Sequence, residues 1–390
     1  MNQKPDAKSK ALEFPGFCRR GALLGLAVVC LLLTTSPALA GRAEQNTYVR
    51  LVNKGSELLN AGDYRAARDS FSEALRYNDE DTAAYLGLGL ASFHLGYDVD
   101  AERALNRALV LDPKSVAACQ LLGELYYRRD DLETALAYWE RALALDPSAE
   151  AIRGRIERVR KEHSAEKDFN RELTSHFQIK YEGKEKIETG RIVRGVLEDA
   201  YSEVGRSLSY YPSAEIQVIL YSAQQFQEVT DAPGWSSGVY DGKIRIPVGG
   251  IGQETPALRR LLFHEYTHAV VRAITPRCPT WLNEGLAQYF EGRQLDEGQT
   301  AMLRKLAEAG RIPALSGMEG SFTKLDNGQA GLAYLLSLSA VRYLVDNYGM
   351  YRVKTVLEDL ATGADTATAV NNGILISYEE FERGWRRSLE

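Results

Sequence analysis

Residues 256–291 read PALRRLLFHEYTHAVVRAITPRCPTWLNEGLAQYFE, and this stretch decides how the C-terminal half of the chain folds. It contains the H-E-x-x-H pattern His264-Glu265-Tyr266-Thr267-His268. Residues four apart lie on one face of an α-helix, so His264 and His268 can bind a single metal ion. Glu265 lies one position round the helix, close enough to act on water at the metal without binding the metal itself.

The residues around this pattern predict a helix. Thr255 can cap its N-terminus and Pro256 suits its first position. Apolar residues recur at helical spacing on one side of it: Leu258, Leu261, Leu262, Ala269 and Val270.

A catalytic zinc ion usually has three protein ligands and one open position. The chain has five histidines, and none stands at 271–274, where metzincins carry their third ligand. The third ligand is therefore a carboxylate or a distant histidine. Pro279 and Thr280 predict a second helix after a short connection, antiparallel to the first. Glu284 can then point back at the histidine pair, and Gly285 permits the backbones to approach closely.

H-E-Y-T-H followed by W-L-N-E-G-L-A resembles the gluzincin metallopeptidases, and most closely the bacterial peptidase MA-like domain. The resemblance implies one Zn²⁺ per chain, bound by His264, His268 and Glu284, with Glu265 as general base. It implies hydrolysis of peptide bonds. One departure is Gln288, which stands four past Glu284, where thermolysin-type enzymes carry an acidic residue.

The same resemblance implies a second catalytic residue, for which Tyr334 is the candidate. Hydrolysis through a tetrahedral intermediate needs a hydrogen-bond donor for the developing oxyanion. In gluzincins a tyrosine or histidine of a later helix often serves, and no histidine follows His268. Tyr334 opens such a helix. The alternative is a core aromatic that packs beside Leu335 and Leu338.

Residues 47–148 repeat with a period of 34. The matching columns include Gly55, Gly89 and Gly123, and also Ala67, Ala101 and Ala135. This pattern resembles three tetratricopeptide repeats, which implies six helices and a concave groove for a peptide or protein partner. The alternative is a spacer or a dimerisation surface. Residues 149–171, rich in Arg, Lys and Glu, predict a solvated capping or linker helix.

The first 40 residues predict a secretory signal peptide. A basic segment precedes the apolar stretch 21–33, and Ala38-Leu39-Ala40 fits a cleavage site. The alternative is an uncleaved membrane anchor that tethers the protein through residues 21–33. Removal of residues 1–40 would change the net charge from −6 to −9, which argues against nucleic-acid binding. Only Cys119 and Cys278 would remain, so no disulfide framework is expected.

Residues 172–390 predict a small α+β, zincin-like metallopeptidase domain with a mixed sheet and helices. Strands are expected at 176–181 and 216–221, and a hairpin at 237–248 lies like the edge strand that gluzincins use to hold an extended peptide. Pro247 suits an edge. Later helices are expected at 296–309, 330–348, 350–360 and 378–389, with an irregular loop at 322–327. Since solenoid repeats contact mainly their neighbours, residues 172–390 are expected to fold alone.

The sequence therefore predicts an exported zinc metallopeptidase in which tetratricopeptide repeats precede the peptidase domain. It would act on a peptide or protein in the periplasm or outside the cell, or at the inner membrane if the N-terminal segment stays attached. Two rival functions remain open. One is a non-catalytic zinc-binding scaffold that recruits protein partners through the repeats, and the other is a zinc hydrolase acting on something other than peptides.

Overall fold

The structure, a computed structural model, describes residues 37–183, 187–230, 238–248, 252–322 and 325–390. Most of the predicted signal peptide, including its apolar stretch 21–33, lies outside the described residues. Among those that are described, no helix is both long enough and apolar enough to cross a membrane. Residues 44–390 belong to one structural unit.

Six helices form the repeat array, as the 34-residue period predicts. They are α1 (Pro37–Ala61), α2 (Tyr64–Ala74), α3 (Thr82–His94), α4 (Asp98–Leu111), α5 (Val116–Arg128) and α6 (Leu132–Leu145). Small residues of the repeat let paired helices approach: a Cβ on Gly123 would lie 2.3 Å from the indole of Trp139. Side chains cap four of the helix N-termini, namely those of Asp63, Asp81, Ser115 and Asp131.

A five-stranded mixed sheet follows the array. Its strands are β1 (Phe169–Leu173), β2 (Phe177–Glu182), β3 (Ile216–Tyr221), β4 (Val239–Tyr240) and β5 (Ile244–Pro247), in the order β1-β2-β3-β5-β4. The β2–β3 and β3–β5 pairs are parallel, and the two outer pairs are antiparallel. The expected edge strand is β4. Pro247 lies instead at the end of β5, beyond the residues that pair with β4, so its missing N–H leaves the β4–β5 pairing intact.

Helices cover both faces of the sheet. On one face, α8 (Ile187–Leu208) and α10 (Pro256–Ile274) contribute to the main hydrophobic core together with strand residues such as Ile179, Leu220 and Ile246. On the other face, Ile219 and Tyr221 pack with Phe226 of α9 (Ala223–Thr230). The main core continues into the C-terminal helices. These are α11 (Thr280–Phe290), α12 (Glu297–Glu308), α13 (Asn327–Tyr348), α14 (Met350–Ala361), α15 (Thr366–Ile374) and α16 (Tyr378–Leu389), with a short 3₁₀ helix at Leu315–Met318.

The fold class predicted from the sequence is confirmed: an all-helical repeat region precedes a domain with a small mixed sheet and helices. Three elements were not predicted: β1, α15 and the 3₁₀ helix. In addition, α13 begins three residues before the expected position, because Asp326 and Gln329 form a capping box that fixes its start.

The prediction of a solvated helix over 149–171 is wrong in two respects: the helix ends earlier, and part of it is buried. Helix α7 spans Glu150–Glu166, and residues 169–171 belong to β1 instead. Arg158, Arg160 and Lys161 of α7 do face solvent, but Glu162 and Glu166 are buried against the sheet. Two side chains of β2 and β5 explain this burial: Lys180 Nζ lies 2.7 Å from Glu166 Oε2, and Arg245 Nη2 lies 3.2 Å from Glu162 Oε2.

Asp130 of the third repeat completes this buried ion cluster, which comprises Asp130, Glu162, Glu166, Lys180, Lys243 and Arg245. Asp130 pairs with Lys180, and its Oδ1 accepts from Lys243 Nζ at 2.9 Å. The three carboxylates lie close enough to share a metal ion, but three cations already balance their charge. We therefore interpret the cluster as an ionic junction between the repeat array and the sheet.

The position of Asp130 in the repeat explains how it reaches the sheet. It follows the first helix of its repeat, in the same column as Gly62 and Gly96, and all three residues have a left-handed backbone, with φ of 63°, 83° and 74° respectively. Glycine adopts this conformation without steric cost, and aspartate is one of the few other residues that tolerate it. The third repeat thus has a carboxylate where the others have no side chain.

Candidate metal centre and active-site cleft

Helices α10 and α11 bring the three predicted metal ligands together. Glu284 Oε2 lies 3.7 Å from His264 Nε2 and 3.6 Å from His268 Nε2. The ligand atoms of all three residues lie within 4.8 Å of one another. Thr255 caps α10 as predicted, with Leu258 N donating to its Oγ1 at 3.1 Å. The two histidines follow on successive turns of that helix.

The close backbone approach expected at Gly285 occurs on a different side of α11. A Cβ on Gly285 would lie 2.4 Å from the carbonyl oxygen of Ser337 on α13. The residue therefore lets α11 pack against α13 rather than against α10. Glu284 faces α10 and Gly285 faces α13, as expected for adjacent residues of one helix.

Each histidine is oriented by an oxygen acceptor behind it. His264 Nδ1 donates to Glu291 Oε2 at 2.9 Å, and His268 Nδ1 donates to Asn283 Oδ1 at 3.1 Å. With Nδ1 carrying the proton, the Nε2 lone pair of each ring faces Glu284. Such acceptors are typical of histidines that bind metals, because they fix the tautomer and the ring orientation.

This donor set fits zinc. Ligand distances of about 2.0–2.2 Å in a tetrahedral site place neighbouring ligand atoms about 3.3–3.6 Å apart. The two observed separations, 3.6 Å and 3.7 Å, lie at and just beyond the upper end of that range. Two imidazoles and one carboxylate also leave a fourth position for water or substrate, as in catalytic zinc sites.

Glu265 lies beside the three residues and is almost completely buried. Burial raises the pKa of its carboxyl to about 7; Glu284 and Glu291 add to the rise, and His268 opposes it. Gly238, just before β4, packs on this carboxyl: a Cβ there would lie 2.8 Å from Glu265 Oε1. The carboxyl is therefore held between α10 and the edge of the sheet, close to the proposed ligands.

Tyr334 lies in the same cleft, on the third turn of α13 rather than at its start. Burial raises the pKa of its phenol, with further contributions from Glu284 and Glu265, so the ring is close to both carboxylates. Phe322 of the 322–327 loop meets the ring edge-on, at 5.6 Å between centroids. Tyr334 is half-buried, whereas Leu335 and Leu338 are buried in the core.

Gln288, the departure noted in the sequence, fixes α11 to α13. Its Nε2 donates to the backbone carbonyls of Tyr334 at 2.8 Å and of Glu284 at 3.2 Å. The carboxylate behind His264 comes from Glu291 instead, three residues further on. Sequence reasoning did not predict this role for Glu291, nor the contact from Asn283. Glu291 directly follows α11, seven residues after Glu284, and that spacing of two helical turns is the signal that could have identified it.

A cavity of about 2320 Å³ contains the site, and both parts of the chain line it. The peptidase side contributes α10, α11, α13 and β4, with Phe322 and Leu325 at the 322–327 loop. The array contributes the turn between α1 and α2, the turn between α3 and α4, and the end of α5. Cys278 also lines the cavity, and burial raises the pKa of its thiol.

Comparison with known proteins follows this division of the chain. Residues 204–390 match the family model of the Peptidase MA superfamily. Residues 52–116 and 116–149 match two models of the tetratricopeptide repeat, which indicates protein–protein interaction.

Two curated proteins are similar over short stretches. Anaphase-promoting complex subunit 3 of Schizosaccharomyces pombe is 29% identical over 91 residues, which is 23% of this chain and 14% of that protein. Cellulose synthase operon protein C of Komagataeibacter xylinus is 41% identical over 63 residues, or 16% of this chain and 5% of that protein. This chain thus spans only a small part of either relative.

Two solved structures are similar to part of the chain. The first tetratricopeptide domain of Spaghetti, bound to an HSP90 peptide, is 21% identical with a TM-score of 0.30, over 30% of this chain and 94% of that one. The Arabidopsis OM64 tetratricopeptide domain is 22% identical with a TM-score of 0.30, over 30% of this chain and 98% of that one. The family models alone support the identification: the chain carries a Peptidase MA superfamily domain at residues 204–390, preceded by tetratricopeptide repeats.

Proposed function

We propose that this protein is a zinc-dependent peptidase of the gluzincin type. The observation that carries the proposal is the convergence of His264, His268 and Glu284 beside the buried carboxyl of Glu265, in a cleft large enough for a peptide. The Peptidase MA superfamily match supports peptidase activity. In this proposal the two Nε2 atoms and a carboxylate oxygen hold one zinc ion.

A zinc ion held by His264, His268 and Glu284 would polarise a substrate carbonyl and lower the pKa of a water molecule at the site. Glu265 accepts the proton of the attacking water and then donates it to the leaving amine. Its burial beside the three ligands, with Gly238 packed on the carboxyl, holds it in place for both proton transfers. The half-buried phenol of Tyr334 donates a hydrogen bond to the oxyanion as the carbonyl carbon becomes tetrahedral.

The edge strand β4 suggests how the substrate backbone is held. It is the last strand in the sheet order and lines the cleft beside Glu265. An extended peptide can pair with an exposed sheet edge through main-chain hydrogen bonds. We also propose that residues 1–40 direct export, so that the enzyme works in the periplasm or outside the cell, or at the inner membrane if the segment is retained.

Metal analysis and peptide digestion test this function together. Purified protein is expected to bind one zinc ion per chain, and His264→Ala or Glu284→Ala to lose it. Glu265→Gln keeps the shape of the side chain but cannot accept a proton. This variant is expected to retain zinc while peptide cleavage falls by about 10²–10⁴-fold.

The same measurements separate the rival functions. Stoichiometric zinc in Glu284→Ala would refute the ligand set. Wild-type zinc binding without cleavage of any peptide in a library would refute the peptidase proposal. If partner proteins were then captured equally by wild type and Glu265→Gln, the scaffold function would be favoured.

A further inference from the structure

The repeat array is tied to the peptidase domain at both of its ends. At the first turn of the array, Arg277 Nη1 donates to the carbonyl of Ala61 at 2.6 Å. A Cβ on Gly363, between α14 and α15, would lie 2.1 Å from the same oxygen. At the third turn, Asp130 enters the buried ion cluster with Lys180 and Lys243.

The second turn of the array lies between these two junctions and lines the cavity. Its residues His94, Leu95 and Gly96 all belong to the cavity wall. A Cβ on Gly96 would meet nothing within 4 Å, so this turn faces open space. The array therefore forms a wall of the active-site cleft whose position is fixed from both sides.

Arg272 lies on the opposite wall. It follows His268 by one helical turn on α10, which places it about 6 Å further along the helix axis. The side chain lines the cavity and is exposed. Its one hydrogen bond given by the structure goes to the carbonyl of Pro276, at 3.3 Å. In the described part of the chain, no carboxylate lies within ion-pair distance of its guanidinium.

Arginine side chains lie around the second turn of the array, and Arg272 is one of them. Burial lowers the pKa of His94, and Arg272, Arg128 and Arg277 lower it further, so these side chains lie around the second turn. Arg128 is paired with Asp98, and Arg277, whose hydrogen bonds go to backbone carbonyls, lies outside the cavity lining. Carboxylates such as Glu215 and Glu358 line the cavity as well, but in the described part of the chain none of them pairs with Arg272, whose guanidinium therefore stays available to a ligand.

We propose that Arg272 forms a carboxylate-binding subsite of this cleft, between α10 and the second turn of the repeat array. Its ligand is a carboxylate of a peptide, supplied by an acidic side chain or by the C-terminus. The planar guanidinium matches a carboxylate through two parallel hydrogen bonds. The cavity exceeds the roughly 300–1,000 Å³ of small-molecule sites, which favours a polypeptide segment. The role of the subsite in substrate recognition rests on the proposed peptidase function, whereas its binding of a carboxylate does not.

Binding to the inactive Glu265→Gln protein tests the subsite without any need for cleavage. The probes are fluorescent Ala/Ser decapeptides in four forms, with three Asp or three Asn residues and with a free or amidated C-terminus. A peptide with the required carboxylate is expected to bind at least about tenfold more tightly than its neutral counterpart, as one charged hydrogen-bonded pair supplies. The Asp/Asn comparison and the acid/amide comparison identify the source of the carboxylate.

Substitution then assigns the preference to Arg272. Arg272→Gln is expected to abolish it and Arg272→Glu to reverse it toward neutral peptides. Arg260→Glu is the matched control, since it makes the same charge change at an exposed position of α10 outside the cavity lining, and the preference is expected to persist.

Equal or absent binding of all four peptides would overturn the subsite, as would a carboxylate preference that survives Arg272→Glu. An Arg272-dependent preference without Glu265-dependent cleavage in the wild-type background would sustain the subsite and refute the peptidase function. Glu265-dependent cleavage without any carboxylate preference would sustain the peptidase function and refute the subsite.

Discussion

The junction at Asp130 gives a sharp test of how the two parts of the chain depend on each other. Asp130→Gly restores the residue found at this column in the first two repeats and removes the left-handed strain of a non-glycine residue. It also removes a carboxylate that pairs with both Lys180 and Lys243, whose side chains are buried.

The two effects have opposite signs and different sizes. Loss of one partner from a buried ion cluster costs about 3–5 kcal/mol, because Lys180, Lys243 and Arg245 then face only two carboxylates and one positive charge stays buried without compensation. Glycine adopts the left-handed backbone without strain, and this raises the free energy of unfolding by about 1 kcal/mol. We therefore expect Asp130→Gly to lower the free energy of unfolding by about 2–4 kcal/mol.

The second repeat supplies the matched control. Gly96→Asp makes the reverse change in the same column, at a φ of 74° and facing open space. Gly96→Asp removes no ion-pair partner, so it should lower the free energy of unfolding by only about 1 kcal/mol. Urea unfolding of the purified proteins, followed by circular dichroism, measures both. If Asp130→Gly were as stable as Gly96→Asp, the ion cluster would not join the array to the sheet.

Three further predictions concern the candidate metal centre and the junction between the array and the sheet. Glu291→Gln weakens the acceptor behind His264 and should reduce zinc affinity about 10–100-fold in a chelator competition, with an unchanged affinity refuting the role of that contact. Tyr334→Phe removes only a hydroxyl and should lower kcat by about 10²-fold while zinc content and melting temperature stay constant; an unaltered kcat would make Tyr334 a packing residue. Residues 172–390 expressed alone should unfold more readily than the intact chain, contrary to the expectation from the sequence, because the fragment lacks Asp130 and most of β1. Cooperative unfolding of that fragment at the urea midpoint of the intact chain would contradict this.

The sequence alone was sufficient wherever the information is local. The 34-residue period predicted six repeat helices because each repeat buries the same columns of small and apolar residues. The H-E-x-x-H spacing predicted two histidines on one helix face, because four residues nearly complete a helical turn. Glu284 could be chosen because a short connection requires two neighbouring helices to pack against each other. The structure brings His264, His268 and Glu284 together.

The tertiary structure decided whatever depends on distant parts of the chain. Glu162 read as a solvated residue of a charged helix, yet it is buried, since its cationic partners Lys243 and Arg245 come about 80 residues later. No pattern in the sequence predicted a role for Asp130. A sequence reveals charges but not the burial that makes their pairing obligatory. The array's position as one wall of the cleft, with Arg272 opposite, likewise follows from contacts between segments about 200 residues apart, which no local pattern encodes.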